Sequence, residues 1–202
     1  LRYPGGKSRA CKKMEPYIPD LRDYEVYYEP FLGGGSVALH ITKKYPKLKI
    51  VVNDLYEPLY NFWLQLQVNG DYVHSELQQL KSRFSDRASA RGLFEDSKEK
   101  LYDLDIVDKD RAVCFYIINK CSFSGLTESS SFSEQARDAN FSMRGIDKLP
   151  VYSKLIEDWY ITNVDYRHLL GDKEKTFIYL DPPYDIKDNL YGRKGSMHKK
   201  FD

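Results

Sequence analysis

The chain has little cysteine, almost no net charge and no long apolar run. Its three cysteines, Cys11, Cys114 and Cys121, are odd in number and lack C-x-x-C spacing. That argues against a disulfide framework and a zinc site, and for free thiols in a reducing compartment. The formal net charge is +1, so a whole-molecule basic signature for nucleic acid is missing. Any such partner has to be met by a local patch, because a near-neutral sum can hide a polarised surface. No stretch reaches the ~18 consecutive apolar residues of a membrane span. The start carries no signal-peptide pattern, and no internal repeat or low-complexity run is present. The first residue is Leu1 rather than Met, so a trimmed chain is expected.

What is there suits a globular protein. The 202 residues are enough for one compact domain, or one domain with an inserted subdomain, and for a real core. Hydrophobic residues make up 42% and charged residues 30%, which is ordinary for a folded domain. The 17 tyrosines and 10 phenylalanines exceed average usage. They suit either a packed core or a surface that stacks on flat ligands.

Along the chain, Lys7 to Tyr17 is expected as a short basic helix and YEVYYEPF (24–31) as a strand. GGGS (33–36) is a turn leading into a helix from Val37 to about Tyr45. LKIVVNDL (48–55) is a second strand. From Glu57 to Gln67, Leu59, Phe62, Trp63 and Leu66 fall at helical spacing. Two further helices are expected over 71 to about 105, and a buried helix over 110–120. Residues 121–150 read as a loop-rich zone without a period, and Tyr152 to Asp158 as helical. WYITNVD (159–165) and TFIYLD (176–181) are expected strands, the latter buried, with YRHLL (166–170) a short helix between them. Strands alternating with helices predict an α/β fold with a mainly parallel sheet.

In such sheets ligands bind beyond the carboxyl ends of the strands. Three strand ends stand out. In EPFLGGGSV (29–37) a strand ends in three glycines and a helix begins. Glycine allows a tight turn and a close approach, and the helix start offers N–H groups. In IVVNDLYEP (50–58), Asp54 ends the second strand about 20 residues after the glycine loop, the spacing at which a carboxylate meets ribose hydroxyls. Asp54 could equally cap the helix starting near Glu57. The full G-x-G-x-x-G is absent, with Ala38 at its third position. Both a nicotinamide cofactor and another adenosine-bearing cofactor remain open here.

The third end is D-P-P-Y, residues 181–184. Pro182 has no N–H, and Pro183 holds the residue before it extended. Asp181 and the Pro182 carbonyl are two acceptors at close range, and Tyr184 supplies a flat face. Two acceptors fit one NH₂ group and a face fits a planar ring. Together they describe a pocket for an exocyclic amine such as adenine N6. A proline-stiffened turn with a surface acid is the plainer alternative.

The chain resembles the Dam-type, D12 class of DNA adenine-N6 methyltransferases, over essentially its whole length and in the family's motif order. RYPGGK (2–7) resembles the N-terminal cofactor motif, EPFLGGGSV the cofactor glycine loop, and VVNDLYEPL (51–59) the strand with the ribose-binding acid. FYIINKCSFSGL (115–126) and NFS near 140 resemble the target-recognition region, and DPPY the catalytic tetrapeptide. The resemblance implies a Rossmann-like methyltransferase fold. It implies a catalytic part at 1–68 and 151–202, and an inserted helical and loop-rich target-recognition subdomain at 69–150. It implies S-adenosylmethionine, leaving as S-adenosylhomocysteine, bound by Tyr3, Lys7, Asp54 and Asp181, with Phe31, Gly33 and Gly35 shaping the loop. Lys7 is suited to the cofactor carboxylate. Catalysis falls to Asp181, Pro182, Pro183 and Tyr184.

The expected partner is double-stranded DNA, with the target adenine flipped out of the stack. Phe123 corresponds to the aromatic that wedges into the gap; packing in the core is the alternative. Ser124, Leu126, Glu128, Arg137 and Arg144 complete the expected DNA-binding set. Phosphate contacts are expected from Arg2, Lys7, Arg9, Lys12 and Lys13, or from Arg193, Lys194, Lys199 and Lys200, with Arg137 and Arg144 as further candidates. No metal and no membrane are expected. A monomer, a cognate restriction endonuclease and an intracellular location, in a microbe or a virus-infected cell, are.

Two departures matter. GATC-methylating members carry arginine where this chain has Glu128. A carboxylate cannot donate to guanine O6 or N7 but can accept from cytosine N4, so a site other than GATC is expected. Only 18 residues follow Tyr184, whereas the family continues through further strands, so truncation or disorder is expected there. The rivals are an N4-cytosine methyltransferase, against which Asp rather than Ser at position 181 argues, a non-catalytic DNA-binding relative, and a nicotinamide oxidoreductase, which leaves DPPY unexplained.

Overall fold

The computed structural model describes residues 1–2, 6–123, 131–171 and 174–182. Four strands, β1 (Val26–Glu29), β2 (Lys49–Asn53), β3 (Tyr160–Thr162) and β4 (Thr176–Ile178), pair in the order β3-β2-β1-β4. Every pairing is parallel, with Tyr27 opposite both Ile50 and Phe177. The central strand β1 is aromatic and β-branched, and Tyr27 and Tyr28 are both buried, as expected of a strand covered on two faces.

The path of the chain locates the site. It steps from β1 to β2 to β3 in one direction, then returns to lay β4 on the other side of β1. The reversal lies between β1 and β4, and ligands in open α/β sheets bind at that switch point, beyond the strands' carboxyl ends.

Helix α1 (Cys11–Met14) precedes β1, α2 (Ser36–Lys44) links β1 to β2, and α3 (Glu57–Val68) follows β2, starting with Pro58 in its first turn. A helical body follows: α4 (Gly70–Arg83), α5 (Arg87–Lys100) and α6 (Asp108–Cys121). Helix α6 is buried on nearly every face, so it shows no single apolar stripe. Phe62 of α3 packs on Phe115 and Tyr116 of α6, with ring centroids 5.8 and 5.9 Å apart. Residues 69–150 therefore share one core with the sheet's own helices. Buried Arg111 ties this junction: its guanidinium donates to Glu57 at 2.6 Å, Asp108 at 3.0 Å and the Leu101 carbonyl at 3.0 Å.

Several expectations need correction. The zone 121–150 holds α7 (Glu134–Asn140), α8 (Met143–Ile146) and the start of α9 (Leu149–Leu155). Ser133 and Ser142 cap the first two by accepting from Ala136 and Gly145. Helices of seven and four residues are too short for a period to show. Helix α9 starts and ends three residues before the expected segment, because Pro150 fits its first turn. The expected helix from Lys7 to Tyr17 shrinks to α1 followed by a 3-10 turn, Glu15–Tyr17, entered through Pro16. β4 is half-buried rather than buried, since among the described residues it has a neighbour on one side only. All three cysteines are free and buried. Among the described residues no helix is long and apolar enough to cross a membrane, and no group of three or more His, Cys, Asp or Glu could hold a metal ion.

Candidate active site

The glycine turn after β1 is held from two sides. Gly33 and Gly35 have φ of +50° and +70°, a region that L side chains avoid. A Cβ on Gly35 would lie 2.6 Å from Trp63 Cζ2, so α3 packs directly on the bare backbone. Trp63 Nε1 donates to the Gly33 carbonyl at 3.2 Å. On the other side the Gly33 N–H donates to Asp54 Oδ2 at 2.8 Å.

Asp54 thus joins two strand ends. Its Oδ1 accepts the Tyr56 N–H at 3.0 Å, two residues on, in an Asx-type turn. This settles the capping question locally. The residue preceding α3 is Tyr56, which makes no side-chain cap, and Asp54 is not that cap. Burial pushes the Asp54 carboxyl up to about 6, against the pull of the Gly33 and Tyr56 amides. Each oxygen accepts one backbone N–H and keeps a second lone-pair direction, so the carboxylate can still take hydroxyl donors.

Asn53, which sequence reasoning passed over, fastens the same ends. Buried, it donates to the Pro30 and Val164 carbonyls at 3.1 and 3.0 Å. Its Oδ1 accepts from Thr162 at 2.8 Å and from the Val164 N–H at 3.0 Å. The ends of β1, β2 and β3 are thereby set relative to one another. Phe31 lies half-buried at this mouth, its ring 5.1 Å from that of Tyr166.

Across the switch point the chain continues β4 into Asp181. The Tyr179 N–H donates to the Tyr28 carbonyl at 2.8 Å, which extends the pairing with β1 and delivers Asp181 to the mouth. There Lys7 Nζ donates to Asp181 Oδ2 at 2.5 Å, both side chains 21% exposed. Lys7 was expected at a cofactor carboxylate; within the chain it pairs with the acid of the tetrapeptide.

A further acid went unrecognised. Glu29, at the end of β1, is 2% exposed. Burial pushes its carboxyl up to about 8. The Tyr27 hydroxyl, donating to Oε2 at 2.6 Å, pulls the other way. The charges of Asp181 and then Asp54 push it higher. Three carboxyls therefore share one crevice, and the buried one holds its proton at neutral pH. The signal was an acid two residues after a tyrosine in an otherwise apolar strand.

The remaining expected residues fall as follows. Pro182 is half-buried next to Asp181. Tyr3, Pro183, Tyr184, Ser124, Leu126 and Glu128 lie outside the described residues, as do Arg193, Lys194, Lys199 and Lys200. Phe123 is 63% exposed and not in the core. Arg144, Arg9, Lys12 and Lys13 are exposed. Arg137 departs from the surface contact expected of it. It is buried and donates to the Ser85 carbonyl and to Asp138, so its donors tie α7 to the α4–α5 turn and a phosphate role does not suit it. In NFS, Phe141 is core and Ser142 caps α8.

A profile of the D12 class N6 adenine-specific DNA methyltransferases matches residues 3–202. The Type II methyltransferase M.MjaIII of Methanocaldococcus jannaschii is 27% identical over 199 residues, covering 91% of this chain and 68% of the relative. The Type II methyltransferase M.CviBI of Paramecium bursaria Chlorella virus NC1A is 24% identical over 204 residues, covering 95% of this chain and 71% of the relative. Matched along nearly its whole length, the chain belongs to the D12 class of N6 adenine-specific DNA methyltransferases.

Proposed function

We propose that this DNA methyltransferase moves a methyl group from S-adenosylmethionine to N6 of an adenine flipped out of double-stranded DNA, at a site other than GATC. One observation carries the reading. Asp181 stands at the switch point, paired with Lys7 and within charge reach of Glu29, beside a glycine turn clamped by Asp54.

The residues present fit such a cofactor. Trp63 packs against Gly35 on one side of the turn, and on the other Asp54 accepts the Gly33 N–H with lone pairs to share. When bound, S-adenosylmethionine supplies a methyl group on a positively charged sulfur. The chain's own part is positioning and electrostatics. The N6 lone pair of adenine is delocalised into the ring, which makes the amine a poor nucleophile. Asp181 and the Pro182 carbonyl, by accepting the two N6 hydrogens, favour a tetrahedral nitrogen and restore that lone pair. Lys7 fixes the Asp181 carboxylate in place. Glu29, neutral at pH 7, keeps a third negative charge out of the crevice. Flipping the base costs a few kcal/mol of unstacking, and exposed Phe123 is suited to fill the gap.

On this reading 1–68 and 151–202 carry the chemistry and 69–150 the target recognition. The relatives' naming as Type II methyltransferases supports a cognate restriction endonuclease. A monomer, working inside the cell where its DNA is, completes the proposal. The test is tritium transfer from labelled cofactor to duplex DNA, with modified bases mapped at single-nucleotide resolution. N6-methyladenine outside GATC is expected. Methylation at GATC removes the site proposal, methyl on cytosine N4 removes the adenine assignment, and no transfer at all removes the enzyme.

A further inference from the structure

The turn that carries Asp54 is held from two directions. On the sheet side, the Asp54 N–H donates to the Thr162 carbonyl at 3.3 Å, and Asn163 donates to the Asp54 carbonyl at 2.7 Å. On the other side, Asp54 accepts the Tyr56 N–H, and α3 starts at Glu57. Tyr56 and Glu57 both reach into the helical body. The Tyr56 ring packs edge-on against Phe115 of α6, centroids 6.1 Å apart. Its hydroxyl lies 3.5 Å from that of Tyr102, between α5 and α6. Glu57 Oε2 accepts from the Arg111 guanidinium of α6 at 2.6 Å.

That guanidinium is committed elsewhere as well. Its Nε donates to the Leu101 carbonyl and its Nη1 to Asp108 Oδ1, each at 3.0 Å. Asn61, one turn along α3 from Glu57, donates to the Asp108 carbonyl at 2.8 Å. A planar fork with partners in three directions fixes their relative positions as a flexible ammonium does not. The Arg111 side chain is 9% exposed and that of Glu57 45%. Acids around a buried cation mainly offset its desolvation, so the pair is better suited to holding geometry than to adding stability. What it holds is the first turn of α3. A shift there moves the Tyr56 N–H, and with it the carboxylate that faces the glycine turn.

We propose that Arg111, acting through Glu57, is a positioning residue for Asp54, so that the inserted helical body helps to hold the cofactor as well as the target. This rests on the reading that Asp54 meets S-adenosylmethionine.

The test titrates the whole chain with S-adenosylhomocysteine by calorimetry and measures its urea midpoint in parallel. Glu57→Ala leaves Arg111 its other two acceptors, so the buried cation stays satisfied. It is expected to weaken S-adenosylhomocysteine binding about five- to tenfold, a size typical of residues that act on a ligand without touching it. The loss is expected in KM for S-adenosylmethionine, with the single-turnover rate at saturating cofactor within about twofold of wild type. Glu57→Gln still accepts from Arg111 and is expected to stay within about threefold of wild-type affinity. Leu77→Val, in the buried face of α4, is expected to lower the urea midpoint and leave affinity unchanged. Unchanged affinity in Glu57→Ala overturns the proposal. An equal loss in Leu77→Val overturns it too, because the effect is then general loosening. Should Glu57→Ala not fold, Arg111→Lys, which keeps the charge and loses the fork, is read for the same five- to tenfold loss, about the same size. A wild-type chain that binds no S-adenosylhomocysteine refutes the cofactor reading itself, an outcome distinct from a variant that binds as wild type does.

Discussion

At the carboxyl ends of β1, β2 and β4, each acid already has donors within the chain. Glu29 has Tyr27, Asp54 has the Gly33 and Tyr56 amides, and Asp181 has Lys7. At the end of α6, Lys120 has an aromatic ring and a second cation, and no acid among the described residues. The first region is pre-assembled: its acids are held by donors of the chain before anything binds, although burial still raises Glu29 and Asp54. The second holds two like charges with no acid beside them among the described residues.

The sharpest way to break the comparison is Asp181→Ala. Methyl transfer in a single turnover is expected to fall about a thousandfold or more, as for removal of a principal transition-state contact, with the fold retained. Activity within tenfold of wild type would show that the pre-assembled region is not the catalytic one. Next comes Lys7→Met. A charge-assisted hydrogen bond is worth about 1.5–3 kcal/mol, so the single-turnover rate is expected to fall about 10- to 100-fold while S-adenosylhomocysteine affinity holds. If affinity falls and the rate holds, Lys7 serves the cofactor carboxylate and not Asp181.

Gly35→Ala probes the backbone of the same region. The left-handed φ and the contact with Trp63 are expected to cost about 2–4 kcal/mol of stability, read as a lower urea midpoint at unchanged slope. An unaltered midpoint would mean the turn is not held by α3.

The smallest effect is the pH dependence of Glu29. Its ordinary value is 4.5 and its value in the fold about 8, so the folded chain binds this proton more tightly than the unfolded one. The stability Glu29 contributes is complete below pH 4.5 and is lost as pH rises toward 8. Asp54, raised from 3.8 to about 6, acts in the same direction over a lower range. Glu29→Gln keeps an acceptor for Tyr27 and removes the charge. Its thermal midpoint is expected to match wild type at pH 4.5 and to exceed it by several degrees at pH 8.5, at roughly 2–4 °C per kcal/mol. A constant gap between the two melting curves would show that Glu29 does not titrate in this window.

Much of this was legible along the chain because the signals are local. Aromatic and β-branched runs mark β1 and β2, and glycines mark the turn that needs positive φ. Prolines after Asp181 mark where a strand must stop. The unreadable parts have physical reasons. Helices α7 and α8 are shorter than the window a period needs. Glu29 looks like a strand terminator until burial is known, and Asn53 looks like an ordinary polar end until both its donors and its acceptor are seen to bridge three strands. Lys120 at a helix end is common for dipole reasons alone, and its burial beside Arg2 shows only in the fold. Arg137 looked like a surface cation because a charge in a polar stretch carries no mark of burial.

By itself the sequence determined the strand and helix alternation and the glycine turn. Each follows from the backbone preferences of a few adjacent residues. Only the tertiary structure decided that Lys7 meets Asp181, 174 residues away, that Asp54 holds Gly33, and that Arg2 lies against the end of α6. Those meetings depend on β4 returning to the far side of β1, a pairing between segments with no local preference for each other.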